Sequence, residues 1–109
     1  MNPEITARLQ GLGINVVAES SAVSVFVREC CVAVAGRTAD GGFSLGSTGM
    51  MTENGPAYLV WRQGQPRLAG KGGEVPADNA QVETIRRFSE DLQAALDPTA
   101  LDQTASDQT

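Results

Sequence analysis

The chain has 109 residues, 41% of them hydrophobic and 5% aromatic, which allows one domain around one core of mainly aliphatic side chains. It contains no histidine, so neither a Ser-His-Asp nor a Cys-His catalytic site, nor the usual structural zinc site, can be assembled within it. Residues 1–96 carry ten acidic and eight basic residues, so three of the five net negative charges lie beyond Leu96; no basic run is present of the kind that binds nucleic acid.

A short helix is expected first, followed by an antiparallel β-meander. Asn2 is suited to cap the helix, Pro3 fits its first position, and Gly13 follows its end. From Ile14 onward β-branched residues are frequent, and over residues 22–28 they alternate with other residues in the period of two that is typical of a strand. The three strands predicted for the meander are residues 14–19, 22–28 and 31–37.

The segment from 36 to 56 is rich in Gly, Ser and Thr and is predicted to be mostly a long surface loop. Residues 43–45 are expected to form one short strand. Residues 48–54 are expected to form a single helical turn or more loop, because Asn54-Gly55-Pro56 is a strong stop signal. Loops of this length inside a compact domain are often functional, so this Gly-rich loop is a candidate binding element.

A hairpin is predicted next, with strands at 57–62 and 67–69 joined by a turn at 63–66. In its first strand Tyr58 and Val60 are expected to face away from the side that carries Ala57, Leu59 and Trp61. A flexible Gly-rich connector is expected to lead from this hairpin into the last helix.

The clearest element is the last helix, in which Asp78 and Gln81 have the spacing of a capping box. Its apolar stripe recurs at intervals of three or four residues and consists of Val82, Ile85, Phe88, Leu92 and Leu96. Oppositely charged pairs one turn apart are expected on its solvated side, at Glu83–Arg87 and Arg86–Glu90. Residues 1–96 are therefore predicted to be a single compact α+β domain, and residues 97–109 a disordered acidic tail.

Few residues are suited to chemistry. The Gly64 to Gly72 segment has neither the glycine spacing nor the Ser or Thr of a phosphate-binding loop. Cys30 and Cys31 are the only credible nucleophiles, but adjacent strand side chains point to opposite faces, and Glu29 opposes the effect of Arg28 on a thiol pKa. We expect no catalytic residue, no metal and no cofactor; a small thiol-dependent enzyme using Cys30 or Cys31 is the alternative.

These elements predict an α+β fold with an antiparallel sheet of four to five short strands, flanked by an N-terminal and a C-terminal helix in the order α-β-β-β-(β)-β-β-α. Both helices are expected on one face of the sheet, and the open face or an unpaired edge must be covered by a partner or a second copy. The prediction is a non-catalytic protein-binding or regulatory protein of the inhibitor or accessory type, acting through the sheet face or the Gly-rich loop; a structural subunit of a larger assembly is a further alternative. Candidate partner-binding residues are Phe43, Leu45, Met50, Met51, Glu53, Tyr58 and Trp61.

The expected partner is another protein, with a homodimer favoured because apolar side chains point to both faces of the Val-rich strands. No contact with nucleic acid or membrane is expected. Because no apolar run resembles a signal peptide or is long enough to span a bilayer, the predicted location is the cytoplasm, where both thiols would be reduced.

Overall fold

An antiparallel meander lies at the centre of the fold in the computed structural model, which describes residues 3–39 and 42–96. Within these residues each strand pairs with the next one along the chain, so the spatial order of the seven strands is their sequence order. The elements are α1 Pro3–Gly11, β1 Asn15–Glu19, β2 Val23–Arg28, β3 Cys31–Arg37, β4 Phe43–Thr52, β5 Gly55–Arg62, β6 Gln65–Gly70, β7 Gly73–Pro76 and α2 Asn79–Leu96. The predicted α+β class, the antiparallel sheet and the two flanking helices are confirmed.

The predicted count of four to five strands was too low: only residues 43–45 of β4 were expected to form a strand, and β7 was expected to be part of a flexible connector. The Gly-rich segment forms the ten-residue strand β4 and pairs with β3 on one side and β5 on the other. Its glycines fit that position: a side chain at Gly49 would overlap the carbonyl oxygen of Ala57 and lie 2.6 Å from the Cα of Tyr58. Glycine lets the two strands approach here instead of ending the pairing.

The last strand, β7, has four residues and pairs with β6 through Gly70↔Gly73, Leu68↔Val75 and Arg67↔Pro76. Gly73 has a φ of 112°, which favours glycine at the start of this strand. The predicted flexible connector is therefore part of the sheet.

Two tight turns were located correctly from the sequence. The β5–β6 hairpin turns at Gln63 and Gly64, whose φ values of 53° and 78° are the paired positive angles of a type I′ turn. The β2–β3 hairpin turns at Glu29 and Cys30, and Glu29 has a φ of 54°.

Both helices pack against the same face of the sheet. Strand register places Phe26 opposite Ala33 and Ala33 opposite Thr48, so these side chains share a face. The larger core cluster joins that face to both helices and consists of Ile5, Leu9, Ile14, Phe26, Cys31, Ala33, Ala35, Phe88, Leu92, Ala95 and Leu96, with Phe43 and Leu45 packed against it. A smaller cluster of Ala57, Leu68 and Ile85 lies under the first half of α2, with Met50, Leu59 and Ala77 packed against it.

The predicted features of α2 are present. Asp78 accepts a hydrogen bond from the Gln81 amide at 2.7 Å, and the Gln81 side chain accepts one from the Asp78 amide at 2.9 Å, which is the reciprocal pattern of a capping box. Four of the five stripe residues are buried, and both predicted ion pairs, Glu83–Arg87 and Arg86–Glu90, form. The proposed Asn2 cap and the predicted tail at 97–109 lie outside the described residues.

Candidate interaction surface

The face of the sheet opposite the helices is lined by apolar side chains over five adjacent strands. Residues directly opposite each other on neighbouring strands point to the same side of the sheet. On this side the opposing pairs are Val25↔Val34, Val27↔Val32, Val32↔Gly49, Gly49↔Tyr58 and Tyr58↔Ala69. We call this surface the open face, and its apolar members are Val23, Val25, Val27, Val32, Val34, Met51, Tyr58, Val60 and Ala69. Within the described residues, neither helix packs on it.

Exposure differs across the open face. Val32 is only 2% exposed, although no helix covers it, and its register partners are Val27 on β2 and Gly49 on β4. Met51, near the end of β4, is 47% exposed. The open face therefore has a densely packed centre, while apolar surface near its ends is left to solvent.

One corner of the open face carries charge. The charged side chains on this side are Arg62 on β5, Arg67 on β6 and Glu74 on β7. The Glu74 carboxylate lies 3.1 Å from Arg62 (Oε2 to Nη2) and 3.3 Å from Arg67 (Oε1 to Nε). The hydrogen bond from Arg62 is the main cause that lowers the pKa of the Glu74 carboxyl below its ordinary value. These charges neutralise one another in part and adjoin the apolar residues, because Arg67 pairs with Val60 and Glu74 pairs with Ala69.

A second apolar region lies on the helix side of the sheet, beyond the reach of α2. Trp61 is 58% exposed and pairs with Pro66, and Val75 is 55% exposed and pairs with Leu68. A shallow pocket of about 160 Å³ opens nearby and is lined by Thr52, Asn54, Ala57, Leu68, Val75 and the turn from Gly70 to Gly73. Its lining includes one ionisable side chain, Lys71, so it offers little to orient a small ligand.

The seven predicted partner-binding residues do not form one surface. Phe43, Leu45 and Met50 pack against the core clusters on the helix side, where Phe43 also contacts Phe26 edge-on and Arg37 through its guanidinium. Trp61 is on that side too, but exposed.

Only Met51 and Tyr58 of the seven lie on the open face, and Glu53 is exposed in the turn between β4 and β5. The valines of β2 and β3, which dominate the open face, were absent from the predicted site. The alternation of Val23, Val25 and Val27 was the signal that marked them.

The two cysteines are free and differ in environment: Cys30 is exposed in a turn and Cys31 is buried. The Cys31 thiol contacts the carbonyl oxygen of Thr84 at 3.9 Å. Burial, with a smaller effect of neighbouring Cys30, raises the pKa of Cys31 to about 11. At neutral pH this environment favours the thiol over the nucleophilic thiolate.

Within residues 3–39 and 42–96, no group of three or more Cys, Asp or Glu side chains is arranged to hold a metal ion. In the same part of the chain, no helix combines the length and apolar character needed to cross a membrane.

Comparison of the chain with protein-family models, with curated proteins and with solved structures finds no match.

Proposed function

We propose that this chain is a small non-catalytic protein-binding protein of the accessory or inhibitor type, and that the open face is its binding surface. The observation that supports the proposal is the continuity of the apolar residues from Val23 on β2 to Ala69 on β6, on a sheet face that neither helix covers. Contiguous apolar surface of this kind is typical of protein interaction sites. We place this activity in the cytoplasm, where Cys30 would stay reduced.

The chemistry of the open face favours a protein over other ligands. Its Met51 and Tyr58 are residue types enriched at protein interfaces. Its charged residues are Arg62, Arg67 and Glu74, and the pairing of both arginines with one glutamate leaves a single net positive charge, too little for the several phosphate contacts of a nucleic-acid site. A broad apolar sheet face fits another folded surface better than a small molecule, which binds in a concave pocket.

The proposal is tested by affinity capture from native lysate with three forms of the full chain as bait. The test variant carries Val25→Lys and Val34→Glu. These residues are direct cross-strand partners, so the new charges pair within the sheet while making the open face polar. The control carries Gln93→Lys, an exposed position on α2.

We expect the wild-type chain and the Gln93→Lys control to retain the same partner, and the double variant to lose it. Circular dichroism of all three forms confirms that each is folded. Retention of the partner by the double variant, or no capture by any folded form, contradicts the proposal.

A further inference from the structure

We propose that Cys30, Cys31 and Met50 form a binding site for one Cu(I) ion, at the end of the sheet where β2 turns into β3. The site is separate from the open face and does not depend on the proposed function. Three observations support it: the register between β3 and β4, the contact between the two thiols, and the chemistry of sulfur ligands.

The sulfur atoms of the chain are concentrated at one place. The chain has two cysteines and three methionines. Four of these five residues form two directly opposed dipeptides, Cys30-Cys31 and Met50-Met51. Their alignment is fixed by the register pair Cys31↔Met50 and by a hydrogen bond of 2.7 Å from the Met51 amide to the Cys30 carbonyl oxygen.

The Cys31 and Met50 side chains are close neighbours on the helix side of the sheet. Because Met51 and Cys30 are joined by a backbone hydrogen bond, the alternation of an antiparallel ladder makes Cys31↔Met50 a non-hydrogen-bonded pair, in which side chains lie closer together. The Cβ atoms of such a pair are about 4.5 to 5.5 Å apart. Metal–thiolate bonds of about 2.3 Å place three sulfurs around one ion at about 4 Å from each other. Rotation of the flexible Met50 side chain can supply the difference.

The Cys30 thiol reaches the same place from the turn. Cys30 lies outside the strand, so the alternation that separates adjacent strand side chains does not apply to it, and its thiol forms a side-chain hydrogen bond with that of Cys31. Cys30 is exposed and Cys31 is buried, while Met50 is half-buried against the smaller core cluster. An ion can therefore enter from solvent at Cys30 and be shielded by the other two residues.

The donor atoms favour Cu(I) over zinc. Thiolate and thioether sulfurs are the ligands that select Cu(I). Zinc takes four ligands from Cys, His, Asp and Glu, and in the described part of the chain no three Cys, Asp or Glu side chains come together. Binding breaks the S–H bonds of both thiols, releases two protons, and forms two copper–thiolate bonds and one copper–thioether bond. Copper stays in the +1 state, so no oxidant or reductant takes part.

The first test is an anaerobic titration of the reduced full chain with Cu(I) held by bicinchoninate, whose colour reports the copper that the chain removes. We expect the wild type to take up one Cu(I) per chain. Cys30→Ser, at an exposed position, should bind at least about 10-fold more weakly, since even loss of a group that only hydrogen-bonds to a ligand typically weakens metal binding that much. No uptake by the wild type, or equal affinity in Cys30→Ser, overturns the proposal.

The second test compares two neighbouring methionines. Leu nearly conserves the volume of Met, so Met50→Leu removes the thioether with little change in packing, and Met51→Leu is the matched control because Met51 points to the open face. We expect X-ray absorption at the copper edge to show three sulfur ligands in the wild type and in Met51→Leu, and two in Met50→Leu. Three sulfurs in Met50→Leu, or loss of one in Met51→Leu, overturns the assignment of Met50.

Two further titrations test the identity of the ion and the independence of the site. An excess of Zn²⁺ should leave the uptake of Cu(I) unchanged, and displacement of copper by zinc overturns the choice of ion. The Val25→Lys, Val34→Glu variant, altered only on the open face, should bind Cu(I) as the wild type does. Because the site lies on the other side of the sheet, copper binding and partner capture can fail separately.

Discussion

At the scale of single residues, Gly49 decides whether β4 and β5 can pair. It is buried in the middle of the sheet, and any side chain there would meet the backbone of Ala57 and Tyr58. The nearest atoms are backbone, so no flexible side chain can move aside to make room. The requirement is steric, and it does not come from a positive φ.

We predict that Gly49→Ala lowers the free energy of unfolding by about 1 to 3 kcal/mol, the usual cost of forcing extra atoms into a packed site. The measurement is urea unfolding followed by circular dichroism. Gly36→Ala on the neighbouring strand β3 is the matched control, because its new methyl would meet its nearest atoms at 3.9 and 4.0 Å, which is ordinary contact. Equal stability of the two variants would show that β4 and β5 are not held as closely as described.

Cys31 gives a pH dependence with a definite sign. Its folded-state pKa of about 11 lies above the ordinary value of 9.0 because burial disfavours the thiolate. Between these two values the folded chain holds the proton and the unfolded chain releases it. Stability from this group is therefore fully present below pH 9 and is lost as the pH rises toward 11.

We predict that the wild-type urea midpoint falls more steeply between pH 9 and 11 than that of Cys31→Ala. The other titrating groups are common to both chains, so the difference isolates this thiol. A thiol reagent at neutral pH should also modify only one cysteine, the exposed Cys30, before unfolding. Parallel pH profiles for the two chains would contradict the buried, neutral state of Cys31.

At the scale of elements, α2 depends on a local signal at its first turn. The Asp78 carboxylate and the Gln81 side chain each accept one backbone hydrogen bond from the other residue. These bonds satisfy amide groups that have no partner inside the helix. The second half of the helix is held differently, by burial of Phe88, Leu92 and Leu96.

We predict that Asp78→Ala lowers the free energy of unfolding by about 1 kcal/mol, the typical value for loss of an N-cap side chain. Asn79→Ala, one residue further on, is the control and should change stability by less than about 0.5 kcal/mol, as is usual at surface positions. Both values come from urea unfolding. If the two substitutions cost the same, the capping box contributes nothing specific.

The elements that could be predicted from sequence are those whose signals are local. The capping box of α2, the apolar stripe on α2 and the valine alternation on β2 each act within a few positions, and all three were located correctly. Only residues 43–45 of β4 were expected to form a strand, because Gly46 and Gly49 are typical of loops. Their role depends on how closely β3 and β5 approach, which is a property of the assembled sheet.

The same reasoning explains why the open face was not predicted as one surface. The alternation within β5 correctly separated Tyr58 from Trp61, and the structure places them on opposite faces. Joining Tyr58 to the valines of β2 required the register of every strand between them, including the part of β4 beyond Leu45 that was not expected to be a strand. Sequence alone therefore indicated which way single side chains face, but not which strands join them into one surface.

At the scale of the whole molecule, the homodimer that the sequence favours, if it forms through the open face, would couple folding to concentration. If unfolding of the dimer also separates its two chains, the folded state is favoured by mass action. A tenfold increase in protein concentration then stabilises the dimer by about 1.4 kcal/mol. For about 200 residues unfolding together, this corresponds to a rise of about 3 °C in Tm.

We predict this dependence for the wild type and for Gln93→Lys, measured by calorimetry at a series of protein concentrations. The Val25→Lys, Val34→Glu chain should have a Tm that does not change with concentration, because its open face has become polar and no longer binds a second copy. The comparison separates two effects of the substitutions: loss of pairing removes the slope, whereas simple destabilisation lowers every Tm and leaves the slope in place. A retained slope in the double variant would mean that the two chains meet through some other part of the molecule.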